Sequence, residues 1–152
     1  MITYSFVVEG EPCPWTSWPK RGPMPPAFAR MPVWQEQIRA AFWNKYHSKP
    51  LLSGLISLDI EFYRGVPESA PRGPEALQRW MARHIKTKPD RTNYLKAAED
   101  ALNGVVFVDD SQVVKGSEIK WYSRPGQPHY PRGYSVFTVT EAEIERILEG
   151  GK

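Results

Sequence analysis

A single cysteine, Cys13, is all the thiol this chain has, so neither an intramolecular disulfide nor a multi-cysteine zinc site can be built from it. A reducing compartment fits. No apolar run approaches the roughly 18 residues that a membrane span needs, and the N-terminus, MITYSFVVEGE, lacks the basic n-region and apolar core of a signal peptide. These absences lead to the expectation of a soluble, cytoplasmic protein. Strong charge of one sign is missing too: 20 Lys and Arg stand against 17 Asp and Glu, for a formal charge of +3 and a pI near 9.0. That mild excess permits a nucleic-acid partner without requiring one. No internal repeat or linker stands out in the sequence, and a single domain is expected.

What is present is globular. With 41% hydrophobic and 24% charged residues, 152 residues make one ordinary domain, residues 1–152, able to bury a core. Ile2, Tyr4, Phe6 and Val8 alternate, which indicates a half-buried strand. From Gly10 to Pro32 there are seven prolines in 23 residues, too many for regular structure. The basic and aromatic residues of that loop, Trp15, Trp18, Lys20, Arg21 and Arg30, either face DNA or pack back on the core. Trp34, Ile38, Ala41 and Phe42 recur at helical spacing, so a helix is expected over 33–46. Residues 53–63 alternate cleanly as a strand, with Asp59 and Glu61 on its outward side. The stretch from 64 to 89 forms a basic loop with a short helix at 75–83. Arg72, Arg79, Arg83, Lys86 and Lys88 lead from it to Arg91, a run suited to seating a polyanion by its phosphates. His84 within it reads as a surface or DNA-contacting residue. Residues 112–122 and 133–140 read as two more strands, with Lys115 and Lys120 extending the basic surface. Thr140 and Glu143 have the spacing of a capping box that opens a C-terminal helix.

The chain centres on residues 88–114, KPDRTNYLKAAEDALNGVVFVDDSQVV. Tyr94, Leu95, Ala98, Ala101 and Leu102 share one helical face, while Asn93, Lys96, Asp100 and Asn103 share the other. Asp90 sits at the N-cap and Gly104 at the C-terminal stop, so a helix is expected over 91–103. Val105–Val108 is an unbroken apolar run, expected to be a buried strand. Helix and strand each span about 20 Å. A strand that doubles straight back would therefore deliver Asp109 and Asp110 beside Asp90. Asp100 would stand about 15 Å away and pair instead with Lys96.

Carboxylates that meet at a helix N-terminus, with a lysine one turn in, suit Mg²⁺ or Mn²⁺ bridged to a phosphate. The helix end favours the phosphate's charge, and the metal can lower the pKa of a bound water. That is an arrangement for phosphodiester hydrolysis. A plainer reading stands beside it: Asp90 only an N-cap, and Asp109-Asp110-Ser111 only a polar turn.

The pattern PD-x-x-N-x-x-K, then DALNG, a short apolar run and DDSQVV, resembles the RusA family of Holliday junction resolvases. These are metal-dependent endonucleases often carried by prophages. The resemblance implies that Asp90, Asp110 and Lys96 are catalytic, with Asp90 and Asp110 the Mg²⁺ ligands and Mn²⁺ able to substitute. Asn93 matches the family's asparagine. Thr92 stands where the family usually has a second aspartate, and Asp109 is placed to make up the lost charge. Also implied is a homodimer acting on four-way DNA junctions in recombination and repair. From their charge and placement, Lys20, Arg21, Arg83, Lys86, Lys88, Arg91 and Lys115 are the residues expected to bind DNA. The expected fold is α+β: one RusA-like domain, a mixed sheet of about five strands, two main helices and a short C-terminal helix. A junction-binding protein that has lost cleavage through Thr92 is the alternative.

Overall fold

Alternation of apolar and polar residues builds the strands, and their order brings separate parts of the chain to one groove. The computed structural model describes residues 2–18, 21–47 and 49–142. In chain order these form β1 (Ile2–Glu9), α1 (Pro26–Tyr46), β2 (Leu55–Arg64), α2 (Pro74–His84), α3 (Arg91–Leu102), a 3₁₀ turn (Asp110–Gln112), β3 (Val113–Tyr122) and β4 (Tyr134–Ala142). The sheet order is β1-β4-β2-β3. β4 lies antiparallel to both neighbours, whereas β3 is parallel to β2 and forms an open edge. The fold is α+β with a mixed sheet. No helix among the described residues is long and apolar enough to cross a membrane. Thr140, expected to cap a C-terminal helix, lies instead within β4, which runs on to Ala142; the remainder of that expected helix, from 143 on, and Lys20 lie outside the described residues.

One sheet face carries the core. Tyr4, Phe6 and Val8, Ile56, Leu58, Ile60 and Phe62, and Phe137 and Val139 pack against Trp34, Ile38 and Phe42 of α1 and Tyr94, Ala97, Ala98, Ala101 and Leu102 of α3. Asp59 and Glu61 point to the other face. There Ser117 Oγ donates to Asp59 at 2.7 Å and Tyr63 OH to Glu61 at 2.8 Å, so both carboxylates are engaged away from the helices.

Two expectations require correction. The helix expected at 33–46 begins at Pro26, inside the proline-rich loop. Pro26 occupies the first helical turn, where its missing N–H costs nothing, and the buried Trp34–Ile38–Phe42 stripe carries the helix past Pro32. Residues 105–108, expected to be a buried strand, instead form a turn that buries only its middle two residues and leaves Val108 exposed, so four strands rather than five are present among the described residues. Gly104 takes the left-handed conformation, φ 73°. The Val105 and Val106 amides then donate back to Leu102, and Gly104 N donates to Phe107 O at 2.8 Å. Val106 and Phe107 are fully buried without a strand around them; one apolar run satisfies either geometry.

β3 and β2 meet closely at Gly116, where a Cβ would come within 2.0 Å of the Leu58 carbonyl oxygen. Because the obstacle is backbone in the middle of the sheet, relief requires the strands to part. Gly116→Ala is expected to destabilise the fold by about 2–3 kcal/mol, read as a lowered midpoint in urea unfolding.

Candidate active site

The groove at the start of α3 is assembled by the crossover from β2 through α2 and α3 to β3. α3 runs back against the direction of β2 and β3, which brings its N-terminus to the far end of β3. Asp90 occupies the N-cap position with extended backbone (φ −71°, ψ 149°), yet its carboxylate caps nothing. The helix is started by its carbonyl, which accepts from Asn93 N and Tyr94 N. Lys120 fixes the segment before it: Nζ donates to Thr87 O at 2.9 Å and Pro89 O at 3.0 Å. Burial, then the neighbouring Arg64 charge, pull the Lys120 pKa down, against the opposing field of Asp90. Two residues earlier on β3, hence on the same side of the strand, Glu118 accepts from Arg91 Nε at 3.3 Å. Together Ile85, Lys86, Asp90, Arg91, Thr92, Glu118, Ile119 and Lys120 line a cavity of about 660 Å³.

Asp109 and Asp110 are not in that groove. The chain does double back along the helix, but only β3 runs far enough, so Glu118 and Lys120 arrive beside the Asp90 segment. The Asp pair stays at the other end of α3, where Gln112 Nε2 binds the Leu52 and Gly54 carbonyls at the start of β2. Asp109 is a cap: its Oδ2 accepts from Ser111 N at 3.1 Å while Gln112 Oε1 accepts from Asp109 N at 2.8 Å. The Ser111 hydrogen bonds hold its carboxyl below the usual carboxylate range. Asp110 caps nothing, and its charge acts on Glu99.

Lys96 is not ion-paired with Asp100 among the described residues. Its Nζ lies 3.5 Å from the centroid of the Trp15 ring, a close cation–π contact. Trp15 N donates to Asn93 O at 2.8 Å, so this part of the proline-rich loop is strapped to α3. Trp18 packs near Phe28, ring centroids 5.9 Å apart. His84 stacks on Trp80 and bonds its carbonyl oxygen. Arg21, Arg83, Lys86, Lys88, Arg91 and Lys115 are exposed, and Lys86 and Arg91 border the groove. Reasoning from sequence missed Glu118. Its signal was present in the spacing Glu118-Ile119-Lys120 on an expected strand.

Glu99 is half-buried and pushed up to about 7, first by burial and then by the charges of Asp110, Asp100 and Glu118. An ordinary glutamate ionises near 4.5, so between those values the folded chain holds a proton that the unfolded chain has lost. Stability therefore falls as pH rises through that window. Glu99→Gln is expected to stabilise the protein at pH 8 by about 1–2 kcal/mol, after discounting for the exposed half of the side chain. The effect should vanish near pH 4. Thermal melts at both pH values check this.

No group of three or more His, Cys, Asp or Glu residues stands close enough to hold a metal among the described residues. The groove does offer two carboxylates and the Thr92 hydroxyl. That oxygen donor set fits Mg²⁺, which keeps several waters and needs only one or two carboxylates from a protein.

Comparison with known proteins gives a match to the family model described as "Endodeoxyribonuclease RusA" over residues 20–127, more than two thirds of the chain. The chain is also 34% identical over 91 residues to "Uncharacterized protein YqaN" of Bacillus subtilis (strain 168). That alignment covers 58% of this chain and 63% of the relative, a little under two thirds of the relative's own length.

Proposed function

From the premise that the chain belongs to the RusA endodeoxyribonuclease family, we propose that it is a divalent-metal-dependent endonuclease that resolves Holliday junctions and related branched DNA in recombination and repair, acting in the cytoplasm. The observation that carries this is the uncapped Asp90 carboxylate at the N-terminus of α3, facing a groove bordered by Lys86, Arg91 and Lys120. An N-cap aspartate normally spends its carboxylate on backbone amides. One left free beside basic residues is suited to a cation with a phosphate behind it.

In this reading Asp90 and Asp110 hold Mg²⁺ or Mn²⁺, and Lys96 steadies the phosphate. Thr92 and Asn93 support them, and Asp109, as the cap of its turn, holds Asp110 in position, while Arg83, Lys86, Lys88, Arg91, Lys115, Lys20 and Arg21 seat the DNA backbone. The metal, when bound, lowers the pKa of an attacking water and offsets charge on the phosphate. In one chain Asp90 and Asp110 stand at opposite ends of α3, so a second copy is required to bring them together. The open edge of β3, with Val114 and Ile119 exposed, is where that copy would pair. An antiparallel partner strand there carries its own Asp110 toward this chain's Asp90. Two such sites related by a two-fold axis suit two strands of like polarity.

The test separates binding from chemistry. Four-way junctions should be bound with or without EDTA, and cut only when Mg²⁺ or Mn²⁺ is present. Thr92 favours a second reading, a junction-binding protein whose cleavage is lost. Binding without strand scission at any metal concentration, with scission restored by Thr92→Asp, would establish that instead. Absence of any preference for a junction over duplex would overturn both.

A further inference from the structure

The groove at Asp90 contains a carboxylate that the motif does not account for. On the family resemblance, Thr92 leaves the site one charge short, and Asp109 is already engaged as a cap. Glu118 sits instead on β3, paired in register with Ile60 of β2, so its backbone is held by the sheet rather than by a loop. Strand alternation places it on the same side as Lys120, and Lys120 is hydrogen-bonded to the two carbonyls that lead into Asp90. Its side chain is only 18% exposed and already faces a cation, the Arg91 guanidinium at 3.3 Å. Arg91 itself is 56% exposed, which leaves it free to turn toward a phosphate when another cation takes its place.

We infer that Glu118 is the second carboxylate ligand for the divalent metal at Asp90, replacing within one chain the charge that Thr92 lacks. This rests on the functional reading above, in which Asp90 is a metal ligand. It assigns the metal a donor pair, Asp90 and Glu118, that one chain holds without a partner; the partner's Asp110 adds to that pair. The groove then has a division of labour: Asp90 and Glu118 face the metal, Lys120 fixes the Asp90 backbone, and Lys86 and Arg91 are left for the phosphates.

Mn²⁺ binding to the full chain, followed by the paramagnetic resonance signal of the free ion, tests this without relying on cleavage. Asp90→Asn, Glu118→Gln, Glu118→Asp, and Thr92→Asp added to Glu118→Gln are compared, with circular dichroism melts to confirm folding. Glu118→Gln should weaken Mn²⁺ binding at least tenfold, Glu118→Asp should keep part of it, and Thr92→Asp should restore it in the glutamine background. If Asp90→Asn weakens binding but Glu118→Gln stays within twofold of the unaltered chain, the inference is wrong and the functional reading stands. If neither substitution changes Mn²⁺ binding, or the unaltered chain binds none, both are overturned together.

Discussion

Asp90→Asn should lower junction cleavage by a hundredfold or more while leaving junction binding and the melting temperature nearly unchanged. Removing one group that stabilises charge in a transition state costs on the order of 10²–10³ in rate, and a lost metal ligand belongs at the upper end. The stability half of this prediction comes from the same geometry. Because the Asp90 carboxylate makes no capping hydrogen bond, its replacement breaks none, and asparagine is an equally good N-cap residue. The change should therefore stay within about 0.5 kcal/mol, as for surface substitutions. A large drop in melting temperature alongside lost activity would mean that Asp90 is a structural cap after all. Single-turnover cleavage with excess protein, alongside a gel-shift titration, gives both numbers.

Asp110→Asn should be as damaging, and mixing it with Asp90→Asn should bring activity back. Asp110 lies across the length of α3 from Asp90, near Glu99, so the two carboxylates meet only if each site draws on both protomers. In a re-equilibrated mixture about half the dimers are hybrids. Each hybrid then has one intact pair and one doubly altered pair. Such dimers should nick one strand of a junction but not complete paired resolution. A mixture as inactive as its parents would show that hybrid dimers contain no intact site, and the two-chain arrangement would be abandoned. If Asp110→Asn alone cleaves normally, Asp110 serves only to follow the Asp109 cap.

Much of the fold was legible because its signals are local. The alternation in 2–8 and 53–63, the strands expected at 112–122 and 133–140, the helical stripe of α3, Asp90 at its start and Gly104 at its end are all set by residues within a few positions of one another, and each lies within one to two residues of the observed element. The site was less legible because it is assembled over distance. The expectation that Asp110 would return to Asp90 assumed a strand immediately after Gly104. Val105 to Val108 is apolar enough for one, but Leu102 and Leu52 take up its backbone hydrogen bonds as a turn. β3 makes the return run, and its carboxylate, Glu118, looks in sequence like any solvent-face residue of an edge strand. Lys96 was expected to pair with Asp100 one turn away; it lies over Trp15, a partner from a proline-rich loop that no periodicity could place.

The most direct measurement is cleavage of a synthetic four-way junction against a linear duplex of matching sequence, in Mg²⁺, with the cut positions mapped on all four strands. Paired nicks, symmetrically placed on two strands of like polarity, are expected on the junction alone. Equal cutting of junction and duplex, or nicks that persist unchanged in EDTA, would contradict this expectation.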